Sequence, residues 1–193
     1  KILADEIYSE TVFEDKFTSI SQFDKHQDSV MVVNGFSKSY AMTGLRIGYL
    51  CGPIKWLGLA TKIHQYSALC ANTICQFAAL EALKRGQAAK KQFVLSLKQR
   101  ALYMHMRFNQ IGLPTLMPAG GLYCFTDISS TNLDSDQFAA QLLASKKVAV
   151  VPGCAFNHLA ESFYIRSCFA SSLDKIKLAL DRIEAFVSQC HIS

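Results

Sequence analysis

The sequence predicts an α/β fold, and three observations carry the prediction. Short apolar runs alternate with helical segments along the chain, the early runs are each followed by polar or glycine-containing turns, and half of the 193 residues are hydrophobic. Ile2 to Ala4, Val30 to Val33 and Ile47 to Leu50 read as short buried strands, for which parallel pairing in one layer is the simplest arrangement. Ile54 to Ile63 and Thr73 to Lys84 have helical periodicity, and Gly86 punctuates the chain after them. From Gln87 to Ile111 the residues Phe93, Leu97, Leu102 and Met106 recur near three-to-four-residue spacing, predicting a long helix closed by Gly112 and Pro114.

Beyond that helix the pattern changes. Gly121 to Thr126 reads as a strand, Ser135 to Ser145 as a helix, Val148 to Val151 and Phe163 to Phe169 as strands, and Ser172 to Val187 as a helix, a small α/β unit of its own. The expected division is a first part over 1–85, a bridging helix over 86–112 and a second part over 113–193.

Composition excludes several classes of function. A chain with 18% charged residues and half of its residues apolar is neither disordered nor collagen-like. Lys and Arg total 20 against 15 Asp and Glu, a net charge of +5, but they are scattered, with Lys84-Arg85 and Lys90-Lys91 the main local clusters. No basic stripe with interleaved aromatics marks a nucleic-acid surface. Ile63 to Leu80 lacks charged residues yet contains His64, Gln65, Ser67, Asn72, Thr73 and Gln76, so a buried or interface segment is expected and no membrane span. Lys1 to Asp5 has no signal-peptide character and reads as a strand already under way, so an upstream portion of the protein is expected.

The seven cysteines are odd in number and show no CxxC spacing, which predicts free thiols in a reducing cytoplasm. The five histidines, His26, His64, His105, His158 and His191, are dispersed without metal-ligand spacing, and no metal is expected.

The segment from Val32 to Tyr49 carries the chemistry. Lys38 follows a buried strand at its carboxyl end, where open α/β sheets place their ligands, although a loop lysine alone reads as a solvated charge. A lysine that sheds its hydration there can attack an aldehyde as the neutral amine. Arg46 stands between Gly44 and Gly48, and its planar guanidinium suits either an acidic neighbour or a two-pronged grip on a phosphate, with Ser37 and Ser39 as possible hydroxyl donors. Together they suggest a phosphorylated aldehyde cofactor. Asp5 at the end of the first strand reads alone as a turn or cap residue. Beside pyridoxal phosphate it would supply the carboxylate that keeps the pyridine nitrogen protonated, and Tyr8 would supply a phenol near the ring oxygen.

The strings Ala4-Asp5-Glu6-Ile7-Tyr8, Asn34 through Tyr49 and Cys51-Gly52-Pro53 resemble the class I/II aminotransferases of the fold type I pyridoxal-phosphate enzymes. Gly120 through Phe125, Val148 through Gly153 and Tyr164 through Ala170 resemble further family segments in the expected order. By that resemblance Lys38 is the Schiff-base lysine, Asp5 the pyridinium partner, Tyr8 the ring-oxygen donor, Ser37 and Arg46 the phosphate ligands, and Arg166 the arginine that holds the substrate α-carboxylate. The resemblance implies a pyridoxal 5'-phosphate-dependent transfer of an amino group between an amino acid and a 2-keto acid, in a cytoplasmic homodimer. It implies that 1–85 is the second half of the large cofactor domain and 113–193 the small carboxyl-terminal domain.

Gly35 and Ser167 depart from the family pattern, which often has a hydroxyl residue at the first position and an aliphatic at the second. Family members are about twice as long, and the chain resembles their carboxyl-terminal half. β-Elimination on the same scaffold, and an aminotransferase-like ligand sensor in a transcription regulator, are the alternative readings.

Overall fold

A computed structural model describes residues 1–14, 16–25, 28–156 and 163–190; His26, His158 and His191 lie outside them. The chain forms two compact units, Lys1–Leu95 and Ser96–Ser193.

The first unit is built on a three-stranded sheet in the order β1 (Ile2–Asp5), β2 (Val30–Gly35), β3 (Gly48–Cys51). β1 and β2 run parallel, with Asp5 opposite Val33, as the apolar runs lead one to expect. β2 and β3 are antiparallel, with Gly35 opposite Gly48, which corrects the expectation of parallel pairing throughout. A parallel return needs a crossover, usually helical, whereas the chain between Gly35 and Gly48 holds only turns and a single 3-10 turn, Thr43–Leu45. The two glycines are required by close approach. A Cβ on Gly35 would meet the Gly48 Cα and the Ile47 carbonyl oxygen at 3.0 Å, and one on Gly48 would meet the Asn34 oxygen at 2.9 Å.

Two helices follow, α1 (Ile54–Ser67) and α2 (Thr73–Arg85). Asn72 caps α2, its side-chain oxygen accepting a hydrogen bond from the Cys75 amide at 3.2 Å. Phe36, Ile47 and Ala79 form a small buried cluster, with Tyr40, Met42, Ala71 and Cys75 packed against it. Within this chain the segment from Ile63 to Leu80 is mostly exposed, with Tyr66 93%, Leu69 80% and Ile74 79% exposed, so of the two expected placements, buried or interface, burial within the chain does not hold.

α3 (Gln87–Gln110) begins in the first unit and ends in the second. Its buried stripe is Leu97, Ala101, Met104 and Phe108, while Leu102 and Met106 are about half exposed. Leu102 lies five residues beyond Leu97, roughly 140° around the helix axis, so it leaves the face that Ala101 keeps. The helix closes at Gly112, whose φ of +86° is the left-handed turn conformation glycine adopts without strain.

The second unit packs α3, α4 (Ser135–Lys146) and α5 (Leu173–Cys190) with an antiparallel sheet in the order β4 (Tyr123–Asp127), β6 (Tyr164–Cys168), β5 (Val151–Pro152). Asp134 and Gln137 start α4 as a capping box. The core is larger here: Leu97, Phe108, Leu113, Cys124, Ile128, Phe138, Leu142, Ile165 and Phe169 are fully buried, and Phe138 meets Phe186 edge to face at 5.1 Å. Arg107 of α3 donates from Nη2 to Asp181 and Glu184 of α5 at 3.1 and 2.9 Å, and the Glu184 hydrogen bond holds its guanidinium above its ordinary pKa.

Candidate active site

Parallel strands end at the same edge of a sheet, so β1 and β2 deliver their carboxyl ends side by side. Asp5 is the last residue of β1, and the residues that follow β2 turn back over it before β3 begins. That turn is anchored from beneath by Phe36, which is buried, and by Tyr40, whose ring centroid lies 5.8 Å from that of Phe36. The amides of Tyr40 and Met42 both donate to the Phe36 carbonyl, at 3.2 and 3.4 Å.

Asp5, Ser37, Lys38 and Arg46 thereby line one cleft of about 410 Å³, with Asn34, Thr43 and Gly48 on its wall. Lys38 makes no hydrogen bond or ion pair among the described residues; its Nζ lies 5.8 Å from the centroid of the Tyr8 ring. Asp5 spends one oxygen on the Ile7 amide at 3.1 Å, the turn-capping contact, and its second oxygen has no partner among the described residues. Arg46 has a φ of +50°, and its Nη1 donates to the Thr43 carbonyl at 2.9 Å. No carboxylate pairs with it among the described residues.

Ser37 and Ser39 separate in role. Ser37 lines the cleft, whereas Ser39 does not: it is buried at 3% exposure and donates its hydroxyl to the Gly35 carbonyl at 3.3 Å. At Gly35, where the chain departs from the family pattern, the close β2–β3 approach leaves little space for a side chain. Asn34 and Thr43 were not singled out by sequence reasoning. Asn34 ties the wall together, its amide nitrogen donating to Ser9 Oγ at 3.0 Å and its oxygen accepting from the Gly35 amide at 2.7 Å. Asn34 lies on β2 and Thr43 in the 3-10 turn, and only the folded chain brings them to one wall.

Arg166 belongs to the second unit, on β6 opposite Phe125 of β4 and Val151 of β5. Its guanidinium carbon sits 4.2 Å from the Tyr123 ring centroid and 4.5 Å from that of Phe156, and its buried Nε has no hydrogen-bond partner. Ser167 points to the other side of the strand, buried at 6% exposure, its hydroxyl likewise unpartnered. Among the described residues no three His, Cys, Asp or Glu side chains converge as a metal site requires, and no helix is long and apolar enough to cross a membrane.

Comparison with known proteins agrees with this geometry on its family. A model of the family described as aminotransferase class I and II matches residues 2–183. The chain belongs to the aminotransferase class I and II family. An aspartate aminotransferase of Thermotoga maritima is 37% identical over 187 residues, 97% of this chain and 47% of that protein. An aromatic-amino-acid aminotransferase of Thermococcus litoralis is 35% identical over 191 residues, 97% of this chain and 49% of that protein. The crystal structure of an aromatic aminotransferase from Pyrococcus horikoshii superimposes with a TM-score of 0.93 at 34% identity, covering 99% of this chain and 52% of that one. The fold is therefore that of the fold type I aminotransferases, and the chain spans about half the length of the aminotransferases it matches.

Proposed function

We propose that this chain is the Lys38-bearing, carboxyl-terminal half of a pyridoxal 5'-phosphate-dependent aminotransferase that moves an amino group between an amino acid and a 2-keto acid. The observation that carries the reading is the convergence of Asp5, Ser37, Lys38 and Arg46 on one cleft. That donor set suits the cofactor: an amine without an ion-pair partner for an aldehyde, a carboxylate oxygen left over for a pyridinium, and a hydroxyl and guanidinium for a phosphate. When bound, pyridoxal phosphate supplies an aldehyde that captures amines and a ring that accepts the electrons of the substrate Cα–H bond.

The residues of this chain do the rest. Lys38 Nζ would hold the cofactor and would take and return the α-proton as general base and acid. Asp5 would keep a proton on the ring nitrogen, Tyr8 would serve the ring oxygen, and Ser37 and Arg46 would hold the phosphate. Arg166, which lies against the Tyr123 and Phe156 rings with no carboxylate partner among the described residues, would bind the substrate α-carboxylate.

On this reading 1–85 is the second half of the large cofactor-binding domain, 86–112 a connecting helix and 113–193 the small carboxyl-terminal domain. The exposed apolar side chains of α1 and α2 support a homodimer of the complete protein, and the seven free thiols support a reducing cytoplasm. The test is product analysis with the full-length protein and added pyridoxal phosphate. Stoichiometric conversion of an amino-acid and 2-keto-acid pair is expected. Pyruvate and ammonia from a cysteine conjugate, without amino transfer, would contradict the reading and assign a β-elimination lyase.

A further inference from the structure

Lys38 Nζ lies 5.8 Å from the centroid of the Tyr8 ring, yet each residue sits on a turn, and turns hold a side chain only as firmly as their own anchors allow. The turn that carries Tyr8 is closed by two hydrogen bonds, from the Ser9 amide to the Glu6 carbonyl and from the Thr11 amide to the Tyr8 carbonyl, each 2.9 Å long. Two residues beyond Tyr8 stands Glu10, and two residues beyond Lys38 stands Tyr40. A single side chain from the first turns of α3 reaches both. Lys90 Nζ donates to Glu10 Oε2 and lies 5.4 Å from the centroid of the Tyr40 ring.

The surroundings of Lys90 are those of a built contact. Its side chain is only 14% exposed, whereas Glu10 is half exposed. Removing an ammonium from water is offset here by a carboxylate and by the face of an aromatic ring, both of which attract a cation. The Tyr40 ring is fixed from the same direction: Gln87 Nε2 donates to its hydroxyl at 3.0 Å. Gly86 stands against the ring edge, where a Cβ would meet Tyr40 Cε1 at 2.9 Å, so the α2–α3 junction is shaped to admit this ring.

We propose that Lys90 is a positioning residue that ties the Tyr8 turn, through Glu10, to the Lys38 turn, through Tyr40, and so sets Tyr8 against Lys38. The inference rests on the reading of Lys38 and Tyr8 given above. Lys90 touches neither cofactor nor substrate and acts through the two turns alone. Positioning of this kind matters because a displacement of one ångström in a reacting group can cost about a hundredfold in rate.

The test is amide hydrogen exchange on the full-length protein without cofactor, followed by kinetics with pyridoxal phosphate added. Lys90→Met keeps the apolar stem and removes the charge. Exchange is expected to rise by about tenfold at the Ser9 and Thr11 amides and, together with them, at the Tyr40 and Met42 amides. In the loaded enzyme kcat is expected to fall about tenfold with KM unchanged, and Lys90→Arg is expected to restore both readouts. Glu10→Gln, which keeps its size and fold, is expected to loosen the same pair of turns. Exchange that rises only within α3, or does not rise at all, would overturn the inference, as would an unchanged kcat. A parent protein that binds no pyridoxal phosphate would instead overturn the reading of the cleft, an outcome visible before any variant is compared.

Discussion

The guanidinium of Arg166 lies 4.2 Å from the centroid of the Tyr123 ring, and Phe156 covers it at 4.5 Å. Both rings lie within cation–π distance of the guanidinium, and among the described residues no carboxylate pairs with it. A planar anion is what such an arginine can take in two-pronged fashion. Replacing Arg166 by Lys keeps the charge and loses both the stacking and the fork. The expected result is a fall of roughly two orders of magnitude in kcat/KM for amino acids, about 3 kcal/mol of transition-state binding, with cofactor retention unchanged. Loss of the cofactor in Arg166→Lys, or equal use of amines that lack a carboxylate by the parent enzyme, would refute this role.

Asp5 accepts from the Ile7 amide with one oxygen, which closes a turn, and on the proposed reading its other oxygen serves the ring nitrogen. Asp5→Asn retains an oxygen for the turn and cannot hold the ring protonated, so fold and thermal midpoint should persist while turnover falls by several orders of magnitude. Near-normal turnover would reduce Asp5 to its turn contact.

Much of this was legible in the sequence, and the failures have physical causes. The runs around Ile2, Val30 and Tyr164 are bounded by turns and become strands, and the spacing after Gln87 becomes a 24-residue helix. Strand direction was not legible between β2 and β3, because an uninterrupted apolar run carries no alternation to show how it pairs; the connection from Gly35 to Gly48, which holds no helical crossover, goes with the antiparallel pairing. Asp5 and Lys38 are 33 residues apart in the chain and meet only through the parallel register of β1 on β2. Family resemblance named them, and periodicity alone would have left a turn cap and a solvated charge. Ser39 looked like Ser37 until burial separated them. The rings around Arg166 come from positions 123 and 156, too far off in sequence to be read as its neighbours.

Cys124 is fully buried on β4, and burial, with the nearby Cys168, pushes its thiol up to about 12. A thiol so placed stays protonated and unreactive at neutral pH. Alkylation of the native full-length protein followed by peptide mapping should leave Cys124 unmodified until the protein is unfolded, while the rate of any native labelling climbs with pH towards that value. Rapid labelling of Cys124 at neutral pH in the native state would contradict its placement.

Asp24 Oδ2 accepts hydrogen bonds from the Ser29 and Val30 amides at 2.8 and 2.9 Å, where the chain enters β2. The Ser29 bond leads the effects that hold its carboxyl below the ordinary 3.8. A depressed carboxylate contributes stability that is present above its unfolded-state pKa and is lost as pH falls through the folded one. Asp24→Asn should therefore lower the thermal midpoint at neutral pH, and the gap from the parent should narrow once the pH drops below 3.8. A gap that stayed constant across that range would exclude the carboxylate as its source.

The central claim is that Lys38 is the residue to which pyridoxal phosphate is joined. Borohydride reduction of the full-length protein loaded with pyridoxal phosphate, followed by peptide mapping, tests it directly. The account predicts a stable pyridoxyl adduct on Lys38 alone, and its disappearance in Lys38→Ala together with the visible absorption of the bound cofactor. A labelled lysine elsewhere in the chain, with Lys38 unmodified, would contradict it.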